Sequence, residues 1–223
     1  MKRLIIARHG NTFFSHEKPT RVGARTDLPL VDDHLPRRSG RSLSQQKIEL
    51  NNVYAAPLKR TMQTAELILN EMSLTLPIKP LIDFLEIDYG PDENKCEDEV
   101  IARLGRYELE REGQLNPIKK AIISRGEKVI ENWNKKAQVP PGWQVDTQKI
   151  IKTWCDFATN INEGETALVV TSKGIIRLAP QILNANDYEN LVNHQSLKVK
   201  TGSIAIFTHE NNQWYCNLWN KRP

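Results

Sequence analysis

Cysteine is scarce in this sequence, long apolar runs are missing, and charge of one sign is nowhere concentrated. The three cysteines, Cys96, Cys155 and Cys216, are odd in number and far apart. With no C-x-x-C pair and no His/Cys spacing of the zinc-site kind, neither a disulfide framework nor a structural metal underlies the fold. Isolated cysteines of this sort suit a reduced compartment, as small buried hydrophobes. The apolar run after Lys2-Arg3 is too short for the hydrophobic region of a signal peptide, and none approaches the roughly 20 residues that span a bilayer. These shortages lead to the expectation of a cytoplasmic protein without a membrane partner. The 31 Lys and Arg are interspersed with 27 Asp and Glu, giving a net charge of +4. No dense basic stretch suggests a nucleic-acid arm. A small anion, by contrast, needs only a few focused arginines. Internal repeats and low-complexity tracts are also absent.

What is present is a chain of 223 residues, long enough to bury a sizeable core. Arg3-Ala7, Val53-Ala56, Ala167-Thr171, Ser203-Thr208 and Gln213-Leu218 read as strands. The runs LIIA and ALVV are nearly continuous, as expected of strands covered on both faces. Between the strands lie helical patterns. Pro57 to Met72 places Leu58, Met62, Ala65, Ile68, Leu69 and Met72 on one face, with proline near the first turn. Ile122, Val129, Ile130, Trp133 and Ala137 form a second face, interrupted by Gly126. Thr147 to Ile161 and Gly174 to Leu183 give two more. The final strands, separated by Glu210-Asn211-Asn212, read as a hairpin. Alternating strands and helices imply an α/β fold: a three-layer αβα sandwich with a mostly parallel central sheet, helices on both faces and a C-terminal hairpin. The charge-rich stretch at about 91–146, closed by Val139-Pro140-Pro141-Gly142, reads as a helical insertion in a single domain spanning residues 1–223. Trp133, Trp143 and Trp154 are expected to pack that insertion.

Ligands of open α/β sheets bind beyond the carboxyl ends of the strands. Three junctions here carry polar or cationic groups at that end: Arg8-His9-Gly10, Lys59-Arg60 and Ser172-Lys173-Gly174. Two cations in the first turn of a helix oppose its dipole. An anion bound there would reconcile them. For Lys59 a solvent-facing role is the better reading; for Arg60 a ligand-binding one is.

The segment ARHGNT at these junctions resembles the R-H-G signature of the histidine phosphatase superfamily, the phosphoglycerate-mutase-like enzymes. GARTDLPL is similar to the segment that follows the signature, and VYAAPLKRTMQTAELI to the motif S-S-P-L-x-R-A-x-Q-T-A. FLEIDYG is similar to L-x-E-x-x-x-G, and TALVVTSKGIIR to a strand followed by S-H-G-G-x-I-R. The matches are in the family's order. The resemblance implies that His9 is a nucleophile that takes a phosphoryl group, and that Arg8 and Arg60 clamp the phosphoryl oxygens. It also implies that Glu86 is the general acid, then base. Asp88 and Glu93 are nearby competitors for that acid role. Ser172, Lys173, Ser15 and Asn11 are candidate phosphate-binding residues. No cofactor or metal is implied, and the partner is a small phosphorylated substrate or inorganic phosphate.

Three positions depart from the family pattern. Ser172 stands where a second histidine is expected, Ser15 where an asparagine is common, and Asn11 where glutamate or glutamine follows R-H-G. A missing preorganised donor costs on the order of 10²–10³ in rate, so the resemblance implies a slow enzyme unless Lys173 or backbone N–H groups compensate. The mutase branch carries basic insert residues, for which Lys135 and Lys136 are candidates, and a basic C-terminal tail. The chain ends soon after its last strand, so a phosphatase is expected ahead of a mutase. Two other readings stand beside these. One is a catalytically weak family member that binds a phosphorylated ligand or a protein. The other is a serine hydrolase with Ser172 on half of a G-x-S-x-G elbow, with His194 or His209 following. His16, His34, His194 and His209 show no ligand spacing, and His34, Arg37, Arg38 and Arg41 read as a solvated helix face.

Overall fold

Leu4 to Ala7 and Thr166 to Thr171 are buried along their whole length, which is what a continuous apolar run achieves when both faces of a sheet are covered. The computed structural model describes residues 1–223. In chain order the elements are β1 (Lys2–Arg8), α1 (His34–Gln45), β2 (Asn52–Ala55), α2 (Lys59–Glu71), β3 (Ile78–Pro80), α3 (Glu97–Arg111) and α4 (Lys119–Lys136). They continue with α5 (Thr147–Thr159), β4 (Thr166–Thr171), α6 (Lys173–Ile176), α7 (Ala185–His194), β5 (Ile204–Glu210) and β6 (Gln213–Lys221). The chain forms two compact units. One comprises Met1–Ser15, Asp27–Glu86 and Asp146–Pro223; the other comprises His16–Thr26 and Ile87–Val145.

The first unit holds a six-stranded sheet in the order β3-β2-β4-β1-β5-β6. β1 and β4 run parallel, as do β2 with β4 and β2 with β3; β5 and β6 close the sheet as an antiparallel hairpin. Because side chains alternate along a strand, Ile5, Ala7, Val53, Ala55, Leu168 and Val170 share one face. They pack with Leu43 of α1 and with Ala65, Ile68 and Leu69 of α2. On the other face Tyr54 meets Phe157 of α5 edge-on, with ring centroids 5.0 Å apart. Phe84 packs there against Phe157 and Trp154. Helices therefore cover both faces, and the mixed sheet is the middle layer of an αβα sandwich. No helix is long and apolar enough to cross a membrane.

The helix expected over residues 174–183 is broken. α6 stops at Ile176 and a 3₁₀ turn follows over Ala179–Ile182, because Pro180 lacks an N–H and its ring blocks the carbonyl four residues back. Trp154 also departs from expectation. It packs in the sheet unit, fully buried, where its indole N–H donates to the Ile175 carbonyl at 3.0 Å.

In the second unit α4 runs straight through Gly126, the residue that interrupts its apolar face. A Cβ there would lie 1.9 Å from the Ile101 carbonyl oxygen, and one on Gly105 would lie 1.9 Å from that of Ile122. The two glycines are the points where α3 and α4 touch backbone to backbone. Trp133 and Tyr89 each pack edge to face with Trp143. Arg21 stacks its guanidinium over Tyr89 and Trp143, and the Trp143 indole donates to Asp92 at 2.7 Å.

Candidate active site

The parallel register pairs Arg8 with Thr171, so the next residues, His9 and Ser172, leave the sheet side by side. The His9 amide continues the ladder by donating to the Thr171 carbonyl at 3.2 Å, and the Arg8 amide donates to the Ser203 carbonyl at 2.9 Å. His9 is buried. Its Nδ1 lies 2.8 Å from the Gly10 carbonyl oxygen. A carbonyl only accepts, so Nδ1 is the protonated nitrogen and Nε2 carries the lone pair. The imidazole's pKa is held well below 6.5, first by burial, then by the charges of Arg8 and Arg60, with a smaller push from Lys173; the Gly10 bond opposes them. Burial, more than the flanking arginines, keeps the ring neutral.

The peptide that follows His9 is gripped at both ends. The Gly10 N–H donates to Thr64 Oγ1 at 3.1 Å, and the His9 carbonyl accepts from the Gly202 N–H at 3.1 Å. Gly202 is required at its position: its φ is +66°, and a Cβ would sit 2.6 Å from Cβ of Leu35.

Arg60 enters from the first turn of α2 and is fully buried. In so poorly solvated a place its attraction for an anion is strengthened. Lys59 is exposed, and its amide donates to Asp27 Oδ1 at 2.7 Å. Asp27 thus supplies a negative charge at the helix start, which the sequence pattern around Lys59 does not reveal. Arg8 is half-buried, with one guanidinium N–H on the Val199 carbonyl at 2.7 Å.

Glu86 is 3% exposed. The Gly174 amide donates to its two carboxylate oxygens at 3.0 and 3.4 Å, while Thr171 Oγ1 donates to the Phe84 carbonyl at 2.6 Å. The segment carrying Glu86 is therefore tied to residues on either side of Ser172. The competitors are engaged elsewhere, in the second unit. Asp88 accepts from Arg25 and from the Gly90 amide, and Glu93 accepts from the Gly23 amide and the Thr26 hydroxyl.

Ser172 is fully buried, and its hydroxyl has no hydrogen-bond partner. No base touches it, which removes the basis of the serine-hydrolase reading. His194 is bonded to its own helix at the Asn190 carbonyl, and His209 faces Glu163 at 3.8 Å. Lys173 is half-buried at the start of α6. The remaining phosphate-binding candidates stand apart from His9 in their contacts. The Asn11 amide is engaged by Asp32 at 2.9 Å, and Ser15 is exposed. Thr64 and Gly202 escape sequence reading, although a threonine on the buried stripe of α2 is a polar signal in an apolar row. No group of three or more His, Cys, Asp or Glu side chains is arranged to hold a metal ion.

A buried, neutral imidazole with two arginines near the strand ends is accompanied by a matching family pattern. The model of the histidine phosphatase superfamily (branch 1) matches residues 4–222. This chain belongs to the histidine phosphatase superfamily. A 2,3-bisphosphoglycerate-dependent phosphoglycerate mutase of Staphylococcus saprophyticus is 25% identical over 217 residues, covering 93% of this chain and 94% of that protein. Among solved structures, the alpha-ribazole phosphatase of Shigella flexneri has a TM-score of 0.65 at 16% identity, over 99% of this chain and 96% of that one. A mycobacterial glucosyl-3-phosphoglycerate phosphatase solved with VO3 has a TM-score of 0.69 at 14% identity, covering 98% of each chain. The proteins similar to this chain thus include a mutase in sequence and phosphatases in fold. Against the superfamily's motif, Ser172 occupies the place of a second histidine.

Proposed function

We propose that this protein is a phosphoric-ester hydrolase that works through a phosphohistidine on His9 and acts on a small phosphorylated metabolite. The observation that carries the reading is the His9 imidazole, kept neutral by burial with its proton on the Gly10 carbonyl, so that Nε2 is free to attack. In the first step Nε2 bonds to phosphorus and the ester P–O bond breaks, with Glu86 delivering a proton to the departing oxygen. Arg8 and Arg60 hold the charge on the phosphoryl oxygens. In the second step Glu86 takes a proton from water, the water oxygen bonds to phosphorus, and the N–P bond breaks to release inorganic phosphate. Lys173 supplies positive charge near His9, where the second histidine is missing.

The bare Ser172 hydroxyl favours one rival, a catalytically weak member that binds a phosphorylated ligand or protein partner. The similarity to phosphoglycerate mutases motivates a third, transfer of the phosphoryl group to a second substrate position in place of water. Hydrolysis of a chromogenic phosphate ester by wild type and His9→Ala tests the first reading. A loss of about 10⁴-fold or more is expected; equal rates would discard the hydrolase and favour the binding role.

A further inference from the structure

The imidazole proton is placed by the Gly10 carbonyl, and that carbonyl is placed in turn by what holds the Gly10 backbone. Two contacts do so from the sides. The Gly202 amide grips the His9 carbonyl at 3.1 Å, and a Cβ on Gly10 would lie only 3.0 Å from the ring of Pro36, so the backbone has little lateral room. The third contact is Thr64. Its hydroxyl accepts from the Gly10 amide at 3.1 Å and donates to the Arg60 carbonyl at 2.7 Å. The hydroxyl's one proton is committed to Arg60, so its lone pair faces Gly10 by necessity. Thr64 is 1% exposed.

We propose that Thr64 is a positioning residue for His9: its hydroxyl fixes the peptide that aims the Gly10 carbonyl, and so keeps the imidazole proton on Nδ1. This rests on the reading of His9 as nucleophile. The same hydroxyl donates to the Arg60 carbonyl, which anchors the His9-Gly10 peptide to the backbone of α2. Without it the Gly10 N–H is buried and unsatisfied, the peptide tilts to seek a partner, and the ring is released to its other tautomer, in which Nε2 carries the proton and cannot attack.

The experiment compares wild type, Thr64→Val, which keeps the shape and removes the hydroxyl, and Thr64→Ser, which keeps the hydroxyl. Nitrogen-15 NMR of the His9 ring reports the tautomer without reference to activity. Hydrolysis of a chromogenic ester, and its inhibition by inorganic phosphate, report function. Wild type is expected to show the Nδ1–H form. Thr64→Val is expected to gain the Nε2–H form and lose about 10–100-fold in kcat/KM, by analogy with the loss when outer hydrogen-bond partners of metal-bound histidines are removed. Inhibition by phosphate is expected to change little, and Thr64→Ser to restore both tautomer and rate. An Nε2–H ring in wild type overturns the proposal even if Thr64→Val does not fold. So does a folded Thr64→Val with unchanged tautomer, or a Thr64→Ser as impaired as Thr64→Val. If His9→Ala retains the wild-type rate, the nucleophile reading fails, and the NMR still decides whether Thr64 positions the ring.

Discussion

The carboxyl ends of β1 and β4 lie next to each other in register, yet the two are finished differently. At the end of β1 the polar groups of the His9-Gly10 step are taken up: the ring by Gly10, the peptide by Thr64 and Gly202, the His9 amide by Thr171. At the end of β4 the Gly174 amide and the Thr171 hydroxyl hold the Glu86 segment, but the Ser172 side chain is buried with nothing bonded to it. On the proposed reading, one strand end delivers a nucleophile, and the other holds the acid beside a serine that offers no charged donor. Nucleophile, clamp and proton carrier would then be kept while one donor is missing, with the expected cost falling on rate rather than on fold.

That contrast can be broken from either side. On the β1 side, Arg60→Lys keeps a charge but loses the planar fork that spans two oxygens, and ester hydrolysis is expected to fall by about 10²–10³-fold. A rate within a few-fold of wild type would mean Arg60 holds no phosphoryl oxygen. On the β4 side, Ser172→His is expected to raise the rate by roughly tenfold or more, within the contribution of one preorganised donor. A fall in a folded variant would show that the pocket is fitted to serine. Ser172→Ala removes a buried hydroxyl that has no partner, so equilibrium unfolding is expected to show a gain of about 1 kcal/mol. A loss of that size would reveal a bond to Ser172.

The smallest expected effect concerns pH. His9 is held neutral below 6.5, so the acidic limb of kcat/KM is expected to lie below that value. Arg8→Gln should move it upward without reaching 6.5, since burial is the larger cause. The unfolded chain takes up the His9 proton at about 6.5 while the folded one resists. Stability is therefore unaffected by this group above 6.5 and declines as pH falls from there towards the folded value, a slope that His9→Ala should remove.

What could be read from the sequence was local. The runs LIIA and ALVV announce β1 and β4, and Arg8, His9 and Ser172 lie within a residue or two of them, while Arg60 opens the amphipathic α2 after β2, so these residues fall out of one pass along the chain. β3 is three residues long and ends on Pro80, too short for an alternating pattern. α7 buries only Leu191 among its ten residues and so carries no apolar stripe. Gly126 reads as an interruption because the carbonyl it accommodates belongs to Ile101 on another helix. Glu86 came into view through the family resemblance, since the backbone amide that holds it lies 88 residues away. Thr64 and Gly10 are separated by 54 residues. Such pairings are made by the fold, and no spacing in the chain encodes them.

In the proposed mechanism His9 carries the phosphoryl group. Rapid quenching of the protein with a phosphorus-32-labelled phosphate ester, followed by peptide mapping under alkaline conditions, tests it directly. Label is expected on the peptide containing His9, stable in base, lost in acid and absent from His9→Ala. Turnover without labelled His9, or label that survives acid or persists in His9→Ala, would contradict it.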